Sequence, residues 1–241
     1  MISEKMRDLV KNSSVIRAMF EEGKRLASIY GAENVYDFSL GNPSVEPPSA
    51  IKEALIEILS EEEPNLVHGY MNNSGYEDVR EKIAKSLERE SRVSLAAENV
   101  IMTVGAAGGL NVVFKALLNE GEEVIVFAPY FVEYNSYIDN HGGKTVVVPA
   151  DTKSFQPNLE EFKKLITAKT KAVIINSPNN PTGVVYSEES LKAMNSIIEE
   201  KEKEYGTTIF LISDEPYNKI VYDDVKLTPV MSVFKNAIVV N

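Results

Sequence analysis

Two short stretches carry side chains able to do chemistry. The first is Ser177-Pro178-Asn179-Asn180-Pro181-Thr182-Gly183 and the second, about thirty residues on, is Asp214-Glu215-Pro216-Tyr217. Each follows an apolar run, Ala172 to Ile175 and Thr208 to Ser213, short enough for a strand inside a sheet. Two prolines and a glycine forbid helix and sheet alike in the first turn, so the strand must stop there. An amide, a carboxylate and a phenol are thereby delivered to strand ends, the edge at which open α/β sheets bind ligands. Singly they decide nothing: an aspartate at a strand end often only caps a helix, and asparagine is a natural turn former.

A third stretch, Thr103-Val104-Gly105-Ala106-Ala107-Gly108-Gly109, leads from a strand through glycine into a helix. Backbone N–H groups at a helix start are unsatisfied and the helix dipole favours an anion there, phosphate above all. The G-x-G-x-x-G spacing of a dinucleotide loop is absent, and Glu122 and Glu123 stand at the wrong end of the next strand for a ribose contact. One exposed helix end contributes only about 0.3–1 kcal/mol, so other groups must share the phosphate.

The elements that position these residues are legible from periodicity. Strands are expected near 100–104, 123–128, 144–149, 171–176, 208–213 and 237–241, with helices near 107–119, 131–141, 158–167 and 188–205. That alternation predicts an α/β fold, a three-layer, mainly parallel sheet flanked by helices. Upstream, residues 1 to about 35 read as helix and turn, with Leu9, Val10, Ile16, Met19, Phe20, Leu26 and Ile29 as apolar positions. Asp37 to Leu40 is a short extended piece halted by Gly41-Asn42-Pro43. Ser49 is placed to cap a helix carrying Ile51, Ala54, Leu55, Ile58 and Leu59, and Glu61-Glu62-Glu63 is its solvated end. Residues 65 to 75 read as loop, followed by an amphipathic helix marked by Val79, Ile83 and Leu87.

Composition narrows the function. The 241 residues are 44% apolar and can bury a substantial core, and the net charge of −11 offers no footprint for nucleic acid. There is no cysteine, and His68 and His141 lie far apart in sequence, so neither disulfides nor a thiolate or histidine-rich metal centre is expected. The charged opening MISEKMRDLVK has no signal core and no run reaches membrane-spanning length, so the expectation is a cytoplasmic protein with no membrane partner.

Taken together, Asn-x-Pro-x-Asn-Pro-Thr-Gly and then Asp-Glu-x-Tyr resemble the pyridoxal-phosphate-dependent aminotransferases of class I/II, fold type I. The resemblance implies pyridoxal 5'-phosphate as cofactor, with amino acid and 2-oxo acid substrates. It implies that Asp214 holds the pyridine nitrogen protonated, so that the ring withdraws electrons from a substrate carbanion. Tyr217 and Asn180 are then the partners of the phenolic oxygen, and Gly105, Ala106 and Ala107 the phosphate cup. Many relatives carry a hydroxyl residue where this chain has Ala107, which removes one phosphate contact. Phe131, in Pro129-Tyr130-Phe131, matches an aromatic stacked on the pyridine. Tyr70 matches a tyrosine that reaches the phosphate of a neighbouring subunit, implying a homodimer with shared sites. Gly41, through its backbone near the substrate carboxylate, and Asn180 are the implied substrate contacts. Glu215 is family sequence with no catalytic part.

The resemblance further divides the chain into an N-terminal segment, 1–46, belonging to a small domain, and an incomplete cofactor-binding large domain, 47–241. The family's Schiff-base lysine falls a few residues past the match of Ala237 to Asn241, and two downstream arginines are also missing. Lys219 and Lys171 are expected to be surface charges. The strand following that lysine normally lies between the matches of 100–104 and 237–241, which leaves the edge at 100–104 open. The expectation is an N-terminal fragment unable to transaminate. The rival expectations are a non-catalytic piece that binds a phosphorylated ligand or a partner subunit, and a lyase of the same fold type.

Overall fold

A computed structural model describes residues 2–7, 15–36, 38, 41 and 45–241, with the side chains of 15–17 excepted. The expectations for Leu9, Val10, the Ile16 side chain, Asp37, Ser39, Leu40, Asn42 and Pro43 lie outside the described residues. The chain divides into two compact units, Met1–Tyr70 and Met71–Asn241. The first contains helices α1 (Val15–Tyr30), α2 (Ser49–Glu61) and α3 (Pro64–His68). Ser49 does not cap α2: it is the first helical residue, after Pro48, and no side chain caps that end. Part of the expected loop at 65–75 is instead the short α3, started by Pro64, whose fixed φ and missing N–H suit the first helical position. The acidic run 61–63 is exposed, as expected.

The second unit opens with α4 (Glu77–Ser91) and continues as alternating elements: α5 (Gly105–Leu117), β1 (Glu123–Phe127), α6 (Tyr134–Asp139), β2 (Lys144–Val148), α7 (Leu159–Leu165), β3 (Thr170–Asn176), α8 (Glu188–Tyr205), β4 (Phe210–Asp214) and β5 (Ala237–Val240). The strands form one sheet in the order β2-β1-β3-β4-β5, with every pair parallel. This is the expected α/β architecture. Period-2 alternation divides the core into two layers. Ile125, Val173, Ile175 and Leu211 point to one face, where they meet Phe162 of α7 and Leu191, Met194 and Ile198 of α8. Val124, Ala172, Ile174, Ile212 and Val240 point to the other, against Leu110 and Phe114 of α5 and Tyr134 and Ile138 of α6.

The expected strand at 100–104 is corrected: those residues pair with no strand among those described. Arg80, buried, holds the stretch leading into them by donating to the carbonyl oxygens of Ala97 at 2.8 Å and Val100 at 3.4 Å. Beyond that the Met102 N–H donates to Ser74, and Ile101 and Val104 stand exposed. A ladder needs a neighbour to accept and donate in alternation, and here none is present.

Candidate active site

The polar side chains collect where β3 and β4 end together, with Asn176 and Asp214 in register. Asn176 is buried and joins both turns. Its Nδ2 donates to the Asp214 carbonyl oxygen at 2.8 Å, and its Oδ1 accepts from the Asn180 N–H at 2.6 Å. The Glu215 N–H donates to the Val240 carbonyl at 2.8 Å, so the backbone around Asp214 is held from both neighbouring strands. The Asn176–Asp214 bond is buried and the Asn176–Asn180 bond partly so, and together with the Glu215 bond they fix where the two turns begin.

The adjacent asparagines divide their labour. Asn179 builds the turn: its Oδ1 accepts from the N–H and the hydroxyl of Thr182 at 3.1 and 2.8 Å, and its carbonyl accepts from Gly183 N–H at 2.7 Å. Gly183 closes that turn at φ +73°, a conformation costly for any residue with a Cβ. Asn180 is thereby freed to turn outward, half-buried, with its Nδ2 3.5 Å from the Tyr217 hydroxyl. Two polar side chains from separate strand ends therefore stand side by side.

Asp214 is 7% exposed. Tyr134, from the start of α6, donates its hydroxyl to Asp214 Oδ2 at 2.5 Å, while Oδ1 is buried and has no hydrogen-bond partner. Burial pushes the Asp214 carboxyl above the usual carboxylate range, and the Tyr134 bond opposes that shift. Among the described residues no lysine or arginine forms an ion pair with it. Phe131 meets the Tyr134 ring edge-on, with centroids 5.6 Å apart at 82°. Ala106, from the first turn of α5, packs into the same layer as Phe131, Tyr134 and Val240.

That helix starts at Gly105, two residues earlier than periodicity suggested. Gly105 takes φ +67° with nothing within 4 Å of the position a Cβ would occupy, so its surface is open. Gly109 is tight instead: a Cβ there would lie 2.7 Å from Val240 Cγ1, which lets α5 approach β5 closely and brings its N-terminus to the strand ends. The first turn carries no acidic side chain, as an anion site requires.

Glu215 faces the other way. Its carboxylate accepts from Ser213 Oγ at 2.7 Å and lines a cavity of about 410 Å³ together with Ser213, Ile175, Val239 and Lys219, on the sheet face opposite Asp214. Lys219 pairs with Glu90 at 2.8 Å on that side, and Lys171, at the far end of β3, pairs with Glu122 at 3.4 Å. Gly41 and Tyr70 belong to the first compact unit, where both are exposed. Sequence reasoning passed over Tyr134 and Asn176. Tyr134 lies 80 residues from Asp214 and reads as an ordinary core aromatic, whereas Asn176, the last residue of an apolar strand, was detectable as a buried amide that must find partners.

Fold and site together define a class: an open parallel α/β domain that gathers an acid, amides and phenols at the carboxyl edge of its sheet, beside a glycine-opened helix. The sequence profile described as aminotransferase class I and II matches residues 33–240. The chain belongs to that family. Curated relatives include a probable aspartate/prephenate aminotransferase of Aquifex aeolicus, 40% identical over 80% of this chain and 47% of its own length. Another is an aspartate aminotransferase of Pyrococcus abyssi, 36% identical over 97% of this chain and 57% of its own. The chain thus spans about half the length of the curated relatives it matches. Among solved structures, an amino transferase from Eubacterium rectale superposes with a TM-score of 0.95 at 42% identity, covering 99% of this chain and 60% of that one. The Thermus thermophilus aspartate aminotransferase with maleate gives 0.81 at 30% identity, again over 99% and 60%.

Proposed function

We propose that the protein to which these residues belong is a pyridoxal-phosphate-dependent aminotransferase that moves an amino group between an amino acid and a 2-oxo acid, aspartate being the donor its relatives' names suggest. The observation that carries this reading is the orphaned Oδ1 of Asp214, a buried acceptor waiting for a donor. A protonated pyridine nitrogen is a donor that matches it in charge, and the fit requires Asp214 to be ionised. Bound there, pyridoxal phosphate supplies an electron-poor ring that eases loss of a proton from the substrate's α-carbon.

The chain's own residues do the positioning. Asp214 fixes a ring N–H at one edge; Asn180 and Tyr217 donate to an oxygen at the other. The N–H groups of Gly105, Ala106 and Ala107 receive the phosphate, and Phe131 excludes water from the ring. Tyr70 completes the phosphate site of a neighbouring subunit in a homodimer, and Asn180 orients the substrate carboxylate. Lys219 lies on the opposite sheet face and Lys171 at the opposite end of β3, so neither supplies an amine to this site. On this reading the 241-residue chain binds cofactor without transferring an amino group.

The test uses the 241-residue chain and pyridoxine 5'-phosphate, which has the same ring and phosphate but no aldehyde to react with surface lysines. We expect saturable binding that Asp214→Ala weakens about 10- to 100-fold, the worth of a hydrogen bond to a charged group. Equal binding by both chains would overturn the assignment. Amino-group transfer catalysed by the purified chain would overturn the second statement.

A further inference from the structure

We infer that Tyr134 is a positioning residue for Asp214: its phenol holds one carboxylate oxygen so that the other is presented, ionised, to the ligand. The inference rests on the functional reading above and adds a residue to it. Tyr134 is 1% exposed, its hydroxyl donates to Oδ2 at 2.5 Å, and the edge-on contact with Phe131 fixes the plane of its ring. The other oxygen, Oδ1, has no partner, so a single neutral donor holds the buried carboxylate.

A carboxylate with no cation and little water is driven towards its neutral form. The neutral acid would have to aim its own proton somewhere, and a carboxylic O–H directed at a ring N–H repels it. Tyr134 prevents this in two ways: it stabilises the ionised form, and it occupies Oδ2, leaving Oδ1 as the free acceptor. The proton of that bond stays on the tyrosine, because burial and the Asp214 charge both hold the phenol well above its ordinary range. The remaining titratable groups around the pair are Tyr137 and Glu133 at the same helix end, Glu215 on the opposite face of β4, and Tyr217 in the turn beyond it. The ends of β3 and β5 and the first turns of α5 bring no titratable side chain, and Asn241, whose α-carboxylate ends the 241-residue chain, lines the cavity on the Glu215 side. All four are phenols or acids, and none offers a positive charge that could do what Tyr134 does.

A tyrosine that merely fills the core predicts that Tyr134→Phe, which keeps the ring, changes nothing at Asp214. Two measurements on the 241-residue chain separate the roles. With aspartate carboxyl carbons labelled with carbon-13, the ligand-free Asp214 titration is expected to move to higher pH in Tyr134→Phe. Affinity for pyridoxine 5'-phosphate is expected to fall about tenfold, as for one lost hydrogen bond. Should Tyr134→Phe not fold, a more acidic fluorotyrosine placed at 134 strengthens the bond and moves the titration to lower pH. An Asp214 titration and an affinity that ignore both changes would overturn the inference. If the unaltered chain takes up no pyridoxine 5'-phosphate the functional reading fails instead, while the ligand-free titration still decides whether Tyr134 governs the carboxylate.

Discussion

Asp214 is a destabilising residue kept in the ligand-free protein. Its carboxyl is raised by burial, with the Tyr134 bond only opposing the shift, so its ionised form is less favourable in the fold than in the unfolded chain. The sign follows from linkage. As pH rises past the ordinary carboxylate range the unfolded chain releases its proton first, so this group's contribution turns against the fold between the unfolded and the raised native value, and stays so above it. Glu215, also raised chiefly by burial, acts in the same direction. We therefore expect ligand-free Asp214→Asn to melt above the unaltered chain at pH 7–8, with the gap closing as pH falls to about 4, in paired thermal melts across that range. The same variant should lose affinity for pyridoxine 5'-phosphate, so that stability and binding move in opposite directions.

At the scale of elements, the asparagines of the turn after β3 perform separable tasks. Asn176 spans two backbones with one buried and one part-buried bond, whereas the Asn180 side chain, among the described residues, hydrogen-bonds the Tyr217 hydroxyl alone, at 3.5 Å. Asn176→Ala is expected to cost about 2–3 kcal/mol in urea unfolding, since it takes their partner from a buried carbonyl and a part-buried N–H. Asn180→Ala should leave stability within about 0.5 kcal/mol and act on ligand affinity alone. The sequence made Asn180 visible through its spacing from Asp214 and Tyr217, because turn prolines and apolar strands are local signals. Tyr134 was missed for the converse reason: what makes it matter is a partner 80 residues away, and no local period records it; Asn176 stands at the head of the same motif and was detectable as a buried amide, though not its partner 38 residues away. The strand expected at 100–104 failed similarly, since an extended apolar run becomes a strand only when another edge lies beside it.

The whole molecule works against its own ligand electrostatically. It carries 36 acidic and 25 basic residues, a net charge of −11, yet its proposed cofactor and substrates are anions. Attraction must therefore be local, from helix dipoles and aimed N–H groups, while the long-range field repels. Raising salt from about 10 to 150 mM shortens the screening length from about 30 to 8 Å and removes mainly the long-range part. Association of pyridoxine 5'-phosphate with the 241-residue chain is thus expected to speed up with added salt in stopped-flow fluorescence; slowing would point to a cationic entrance. The layered parallel sheet was foreseeable from alternating periods, because burial on both faces forces apolar strands to be covered by helices on each side; its strand order, a matter of which distant edges meet, was not.

One further consequence lies in the alternation along β4. Asp214 and Glu215 are chemically near-identical neighbours, yet successive side chains leave a strand on opposite sides, so one meets Tyr134 and the other lines the cavity behind the sheet. Inserting one residue within the strand would keep every functional group in the composition and send the acid to the wrong room. What this site inherits is thus a parity as much as a set of side chains: odd-length insertions or deletions in β4 invert it, and even-length ones only displace it.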